Sequence, residues 1–174
     1  MKRMIIALIM SSITMPTLAS VSDGDVYIFG GGRSGVDLIG FSLGSGYIIN
    51  EYTSVETSYA YGDNKETADY VLGHTKISRT GHFDAVFGLD ANPFLRPYIK
   101  LGAAYNKSKR TANEPNNKVT TFRDSEFRPH VATGLQFSAP SLSENIFANL
   151  EYNQYIGRHS QFNNWGTVTL GYTF

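Results

Sequence analysis

The sequence predicts an all-β fold, an eight-stranded antiparallel up-and-down β-barrel that crosses a membrane. Apolar and polar residues alternate along eight segments, the connections between segments alternate in length, and the last segment ends on its apolar face at Phe174. A transmembrane barrel strand needs an apolar face towards lipid, allows a polar face towards the interior, and places aromatic residues at the interface. A soluble sheet would account for the alternation but not for the aromatic end.

The first nineteen residues have the features of a cleaved secretory signal peptide. Two basic residues precede an apolar run from Met4 to Met15, and small residues follow it up to Ala19. The run is about twelve residues long, whereas a membrane-spanning helix needs ~20. We therefore expect residues 1–19 to be removed and residues 20–174 to form one barrel domain. An uncleaved helical anchor is the alternative.

The composition argues against several classes of protein. Cysteine is absent, which excludes a disulfide framework and thiolate metal sites. The chain has 15 basic and 15 acidic residues, and removing Lys2 and Arg3 with the signal leaves a net charge of −2, so nucleic acid is not an expected partner. Eleven tyrosines and eleven phenylalanines supply rings for membrane interfaces, and 17 glycines suit tight turns and a crowded interior.

The first four strands are predicted over residues 25–32, 36–49, 53–61 and a segment that begins between 70 and 78 and ends at 89. The first has an open register, because either Val26 and Ile28 or Tyr27 and Phe29 could face lipid. The second sets apolar odd-numbered residues against Gly and Ser, which leaves room inside. The third alternates Val, Thr and Tyr with Ser, Glu and Ala, and the fourth alternates Phe and Leu with His, Asp and Val.

The last four strands are predicted over residues 95–105, 126–137, 146–156 and 165–174. The fifth sets Leu, Ile and Tyr against Arg and Lys, although Pro97 cannot donate a hydrogen bond to the ladder. The sixth sets Phe, Val and Leu against Glu, Arg and His, and the last two set Leu, Tyr and Phe against Asn, Glu and Thr. We expect odd-numbered residues of strands two to six, and even-numbered residues of strands seven and eight, to face lipid.

The connections alternate between tight turns and longer polar segments. Short turns follow strands two, four and six, whereas polar loops are predicted over residues 62–69, 106–124 and 157–164; the first outer connection, at residues 33–35, is brief. Outer-membrane barrels have short periplasmic turns and longer outside loops, so both termini are expected in the periplasm. A soluble sandwich or lipocalin-type barrel is the alternative, since period-two patterning alone does not say which face is inside. The signal peptide, the aromatic end and the loop lengths favour the membrane.

Four short motifs resemble the transmembrane domain of the OmpA family and its OmpX/Ail-like relatives, over all of the mature chain. They are Tyr52–Tyr61, Pro97–Gly102, Asn149–Tyr152 and Gly171–Phe174. The resemblance implies a monomer of the porin family in the outer membrane of a Gram-negative bacterium. It also implies that Leu170, Tyr172 and Phe174 form the signal for the barrel-assembly machinery. No linker or peptidoglycan-binding domain follows Phe174 in this sequence, so wall anchoring is not expected.

Charged residues on the predicted inner face should form a lumen charge network. An eight-stranded barrel is only wide enough for side chains to fill it, and charges inside it must pair. The predicted members are Glu56, Asp84, Arg96, Lys100, Arg128, His130 and Glu151. The resemblance implies that Glu56 is the family's inward glutamate and that Lys100 replaces an inward arginine. The charge-pair gate of the family is partly lost in this chain, because Val86, Gln136 and Asn149 stand where the family has charged residues. A structural network is expected, with a narrow path for water or small ions as the alternative.

A lipid A-modifying acyl hydrolase is a second alternative, because serines accompany His82, Asp84 and His130. Such chemistry needs its His and Ser on the lipid-facing side, whereas these three point inward, and His159-Ser160 lacks the His-x-Ser-Asn spacing of the known deacylases. We therefore expect no catalytic residue. No two histidines lie two apart in a strand, so neither a metal site nor a cofactor is predicted.

Basic residues of the outside loops suggest contact with lipopolysaccharide phosphates, for which Lys and Arg are suitable partners. A merely solvated loop is the alternative. The predicted contacts are Lys107, Lys109, Arg110, Arg123 and Arg158. The same loops could recognise a host or phage surface. Two anchoring belts are expected, with Tyr47, Tyr52, Phe94, Phe137 and Phe174 near the periplasm and Tyr59, Tyr61, Tyr105 and Phe127 towards the outside. The expected role is structural and interactive: membrane integrity, lipopolysaccharide contact and loop-mediated adhesion.

Overall fold

The computed structural model describes residues 23–35, 38–68, 71–89, 94–113, 119–139, 143–156 and 164–174. They form eight antiparallel strands that close into a barrel in sequence order, as predicted. The strands are β1 (Val26–Gly35), β2 (Leu38–Asn50), β3 (Thr53–Ala68), β4 (Val71–Gly88), β5 (Leu95–Asn113), β6 (Val119–Ala139), β7 (Ser143–Tyr155) and β8 (Asn164–Thr173). The predicted signal peptide, residues 1–19, lies outside the described residues. The described part of the chain contains no helix whose length and apolar character would allow it to cross a membrane.

The barrel closes through β1, which pairs with β2 on one side and β8 on the other. The β1–β8 ladder runs from Tyr27 opposite Thr173 to Gly35 opposite Trp165. Following paired residues once around the barrel from Phe127 returns to β6 at Phe137, ten residues further along the strand. This stagger tilts the strands against the barrel axis. Closure pairs both sides of every strand, which a lipid environment requires of its backbone groups.

The outer surface of the barrel is apolar and its interior is polar. Even-numbered β8 residues such as Leu170 are exposed, whereas Thr169 is only 1% exposed. In strands two to eight, the residues predicted to face lipid likewise point outward within the apolar band. The open register of β1 is also resolved, because Val26 and Ile28 are exposed and Tyr27 and Phe29 are buried. The apolar face of each strand therefore points outward, as a barrel surrounded by lipid requires.

Strands β3 to β6 extend well beyond the apolar band at one end, which we call the outer end. The β5–β6 ladder continues to Asn113 opposite Val119, and β3 continues to Ala68. The polar loops predicted over residues 62–69 and 106–124 were therefore wrong, since most of these residues are paired strand. Beyond the membrane both faces of a hairpin contact water, so apolar alternation disappears although the backbone ladder persists. Residues 157–163 of the third predicted loop lie outside the described chain.

Aromatic side chains fill the lumen at the opposite, inner end. Tyr27, Phe29, Ile48 and Phe147 form a buried cluster, with the Tyr27 and Phe147 rings 5.7 Å apart at 79°. The Tyr27 ring covers Gly46, where an added Cβ would collide with it. The sequence suggested that the inward glycines of β2 leave free space. At Gly46 the space is instead occupied by the aromatic ring of the neighbouring strand.

Candidate functional site

Lys100 is the centre of a buried ion cluster in the lumen. Its Nζ contacts the Glu56 carboxylate and lies 3.0 Å from Glu151 Oε2, and all three residues are at most 6% exposed. The Tyr27 hydroxyl donates to Glu56 Oε1 at 2.7 Å. One ammonium group thus pairs with carboxylates from β3 and β7, which leaves one negative charge in excess, and the cluster crosses the barrel from wall to wall. Such a cluster braces the barrel only while each charge keeps its partner.

A second buried cluster is built around His130 on β6. Its Nδ1 lies 2.7 Å from Asp84 Oδ1 and its Nε2 lies 3.1 Å from Asn153 Oδ1. The Asn153 amide in turn donates to Thr167 Oγ1 at 3.0 Å. Asp84 and His130 face each other across β5 because Gly102, which lies between them in the ladder, has no side chain. This chain of contacts links β4, β6, β7 and β8.

Aromatic rings and Arg33 cover the outer side of the His130 cluster. Trp165 stacks on His130 with ring centroids 5.6 Å apart, and the Arg33 guanidinium lies 4.8 Å from the Trp165 ring centroid. The prediction that Arg33 belongs to an outer connection was wrong, because it is a β1 strand residue that is 5% exposed. The first strand was predicted to end at residue 32, although the inward parity of Arg33 with Tyr27 and Phe29 could have identified it as a strand residue.

Arg96 and Arg128 lie towards the two ends of the lumen, and Arg128 is 5.7 Å from the centroid of the Tyr155 ring, which packs beside His130. At the inner end, Arg96 donates from Nη2 to the Glu51 carbonyl at 3.1 Å and from Nη1 to Gln136 Oε1 at 3.4 Å. Towards the outer end, Arg128 pairs with Glu126 of the same strand. Both arginines are partly exposed. The seven predicted lumen residues therefore form two buried clusters and two flanking arginine sites rather than one network.

The interior between the clusters contains a cavity of about 30 Å³. Its lining includes Ser42, His82, Asp84, Lys100 and Glu151. A cavity needs roughly 10–15 Å³ to hold one water molecule. The space therefore accommodates one or two water-sized occupants.

Exposed basic side chains form rows across β4, β5 and β6 at the outer end. Arg79 lies opposite Lys107, and Lys109 lies opposite Arg123. All four are exposed and share the face that further down contacts lipid. Lys107 Nζ is 5.5 Å from the ring centroid of Tyr105, two residues below it. We call these four residues the outer basic patch.

The outer basic patch differs in part from the predicted contacts. It includes Lys107, Lys109 and Arg123 and adds Arg79, which the sequence pattern could have indicated through its shared parity with Phe83. Arg110 pairs in the ladder with Lys76 and Phe122. It therefore occupies the strand position next to Lys109, which alternates with the positions of the patch. Arg158 lies outside the described residues.

Aromatic rings line the outer surface at both ends of the apolar band. At the inner end Tyr47, Tyr52, Phe94, Phe137 and Phe174 are exposed, and towards the outer end Tyr59, Tyr105 and Phe127 are exposed while Tyr61 stacks on Phe41. On β8, Leu170, Tyr172 and Phe174 all point outward, with the Tyr172 and Phe174 rings 5.1 Å apart. The three predicted signal residues thus share one exposed face.

Comparisons with known proteins agree with this geometry. A family model described as the outer membrane protein β-barrel domain matches residues 5–174. No curated protein matches the sequence. Among solved structures, the amino-terminal β-barrel of Pseudomonas aeruginosa OprF is similar with a TM-score of 0.63 and 20% identity, over 87% of this chain and 98% of that one. At such identities the likeness shows the fold alone.

Two further proteins of known structure are similar with slightly lower TM-scores. Ail of Yersinia pestis, the attachment invasion locus protein, has a TM-score of 0.58 and 20% identity, over 88% of this chain and 100% of that one. It is also known in complex with sucrose octasulfate, a heparin analogue, with 19% identity and the same TM-score and coverage. Neisserial surface protein A has a TM-score of 0.58 and 16% identity, over 89% of this chain and 98% of that one.

Proposed function

The chain belongs to the family of outer membrane protein β-barrel domains, and on that basis we propose that it is a non-catalytic barrel whose outer basic patch binds lipopolysaccharide phosphates. It is an outer-membrane protein of a Gram-negative bacterium. Its wider role in this proposal is structural and interactive: it supports membrane integrity and presents the long β5–β6 hairpin for adhesion or recognition. We further propose a cleaved signal at residues 1–19, a monomeric barrel, and recognition of Leu170, Tyr172 and Phe174 by the assembly machinery.

The single observation that carries the proposal is the pairing of like charges in the outer basic patch. Lys109 lies opposite Arg123 and Arg79 lies opposite Lys107, whereas like charges directly opposite each other destabilise a sheet. A polyanion would remove that repulsion. Lys and Arg are the usual partners of phosphate, and Arg can bind it with two parallel hydrogen bonds.

The position of the patch favours a lipid phosphate over a free anion. Lys107 follows Tyr105 by two residues on the same face, and Arg123 precedes Phe127 by four. Aromatic rings of this kind mark the level of the membrane interface, so the cations lie at headgroup level or just above it. Ail, which shares the fold, binds a polysulfated ligand in one of its structures. That precedent supports a multivalent anion as the partner here.

The lumen gives less support to the two alternatives. Hydrolysis of a lipid acyl chain needs reactive groups on the lipid side, but His82, Asp84 and His130 are each at most 7% exposed and face the interior. A conducting path needs continuous space, but the ion cluster crosses the lumen and the aromatic cluster occupies its inner end, next to a cavity of about 30 Å³. We therefore favour the interpretation that the interior side chains stabilise the barrel.

Removal of positive charge from the patch tests the proposal. The refolded protein and its triple variant K107Q/K109Q/R123Q are compared for binding to purified lipopolysaccharide at two salt concentrations. We expect at least tenfold weaker binding for the variant and a smaller salt dependence, because fewer phosphates are neutralised. Lys65→Gln, which changes a lysine of β3, is the matched control and should bind as the parent does. Equal affinity of the triple variant and the parent would overturn the proposal.

A further inference from the structure

Three side chains with metal-binding chemistry converge in the lumen, outside the Lys100 ion cluster. They are His82 and Asp84 on β4 and His130 on β6, and one ligand atom of each lies within 4.8 Å of the others. All three residues are buried, at 7%, 4% and 3% exposure. Because no two histidines lie two apart within one strand, the sequence predicted no metal site, but these ligands meet across a third strand.

The register explains why these ligands meet. Asp84 pairs with Gly102 of β5, and Gly102 pairs with His130 of β6. A Cβ at Gly102 would collide with the Asp84 carboxylate, so only glycine leaves the space in which Asp84 and His130 approach each other. His82 lies two residues from Asp84 on the same face of β4 and reaches the same space, with its ring 4.8 Å from that of His130.

One nitrogen of His82 lacks a partner. Among the described residues, no hydrogen-bond partner exists for His82 Nδ1, although the atom is fully buried. A buried polar atom without a partner is costly and calls for an explanation. The cavity of about 30 Å³ is lined by His82, Asp84 and His130 together, so an occupant of the cavity could contact all three.

The surrounding charges and hydrogen bonds suit a cation at this position. The nearby formal charges are those of Arg33 and Lys100 against Glu56, Asp84 and Glu151, which leaves one negative charge in excess. His130 Nε2 faces Asn153 Oδ1, which is itself fixed by Thr167. An acceptor on the far nitrogen of a histidine orients the ring and leaves the other nitrogen to bind a metal.

We propose that His82, Asp84 and His130 bind one divalent transition-metal ion, of the type of Zn²⁺, through two imidazole nitrogens and one carboxylate oxygen. Imidazole and carboxylate are both ligands of Zn²⁺, and a water molecule in the cavity completes a tetrahedral set. The ion replaces the 2.7 Å contact between His130 Nδ1 and Asp84 Oδ1. Ligand atoms around Zn²⁺ are roughly 3.3 Å apart, so Asp84 and His130 separate slightly and the ligand atoms that lie up to 4.8 Å apart move closer together. This site is independent of the outer basic patch.

Metal binding by the refolded barrel tests the proposal. The protein is freed of metal with a chelator, refolded in detergent with or without ZnCl₂, and assayed for bound zinc and for thermal unfolding. We expect one ion per chain and a higher unfolding temperature with zinc. Refolding in the presence of the ion ensures that the buried site is accessible.

Variants locate the ion and keep the proposal falsifiable. His82→Gln should weaken zinc binding by about 100-fold or more, and Asn153→Ala, which removes the orienting contact to His130 and its link to Thr167 but no metal ligand, by at least about tenfold. His74→Gln, which changes another histidine of β4, is the control and should retain the ion. Visible absorption of Co²⁺ at the site gives a readout that does not depend on stability. Absence of stoichiometric zinc in the parent, or its loss in His74→Gln but not in His82→Gln, would overturn the proposal.

Discussion

Asp84 on β4 and His130 on β6 face each other across Gly102 of β5, with Asp84 Oδ1 and His130 Nδ1 2.7 Å apart. Strands that are not neighbours in the sheet are thereby linked through the lumen. The contact depends on three things at once: the inward parity of each residue, the register of two ladders, and the absence of a side chain on the strand between them. It is the feature on which both the bracing of the interior and the proposed metal site depend.

The first prediction concerns the glycine between these residues. Gly102→Ala should destabilise the barrel by about 1–3 kcal/mol, because its Cβ would collide with the Asp84 side chain and the β4 backbone. Gly81→Ala is the control, since among the described residues nothing lies within 4 Å of a Cβ added there. The free energies of unfolding are measured by urea titration in detergent. Equal losses for the two variants would show that Gly102 is not a site of close approach.

The second prediction concerns the buried ion cluster. Lys100→Met leaves the Glu56 and Glu151 carboxylates buried without their cation and should cost about 3–5 kcal/mol. The triple variant K100M/E56Q/E151Q removes the charges together and should recover most of that loss. Urea unfolding of the two variants and the parent provides the comparison. A triple variant as unstable as Lys100→Met would contradict the ion-pair account.

The third prediction tests which face of β8 contacts lipid. Leu170→Arg should cost about 2–4 kcal/mol near the middle of the bilayer, because it places a charge in hydrocarbon. Thr169→Val should be almost neutral, because among the described residues the buried Thr169 hydroxyl has no partner to lose. Unfolding in lipid vesicles measures both. A tolerated Leu170→Arg would mean that the facing of β8 is reversed.

The fourth prediction separates hairpin stability from ligand binding. Lys109→Glu places a carboxylate opposite Arg123 and should stabilise the hairpin by about 0.2–1 kcal/mol, since opposite charges attract across a ladder. The same change should weaken lipopolysaccharide binding, because it removes one cation and adds an anion. Hydrogen exchange of the hairpin amides and a binding titration measure the two effects. If both quantities fell together, loss of hairpin structure would explain the weaker binding instead.

The fold could be predicted from the sequence because period-two alternation directly encodes the two faces of a barrel strand. For example, Ile39, Phe41 and Leu43 alternate with small residues in β2. In β8 the apolar residues Val168, Leu170 and Tyr172 share one face. The pattern failed where both faces meet water, as at Lys107 to Asn113, because there nothing selects apolar over polar residues. It also failed at Arg33, because the three glycines before it, Gly30 to Gly32, interrupt the apolar alternation.

The candidate sites were less predictable, because they depend on cross-strand register. Inward parity placed Asp84, Lys100 and His130 in the lumen, but only the ladders bring Asp84 beside His130 and Lys100 beside two glutamates. Register is set by turn geometry and stagger, which are not visible within one strand. The closeness of Arg79 to Lys107 likewise arises from pairing between β4 and β5, although parity alone could have placed Arg79 on the outer face.

The most direct test of the central proposal compares lipid A carrying both phosphates with the same lipid after enzymatic removal of the phosphates. Binding of the unmodified protein is measured in mixed vesicles at fixed acyl composition and ionic strength. If the outer basic patch recognises phosphate, affinity should fall at least tenfold on dephosphorylation, and the K107Q/K109Q/R123Q variant should bind both lipids equally weakly. Equal binding of the two lipids by the parent protein would contradict the proposal.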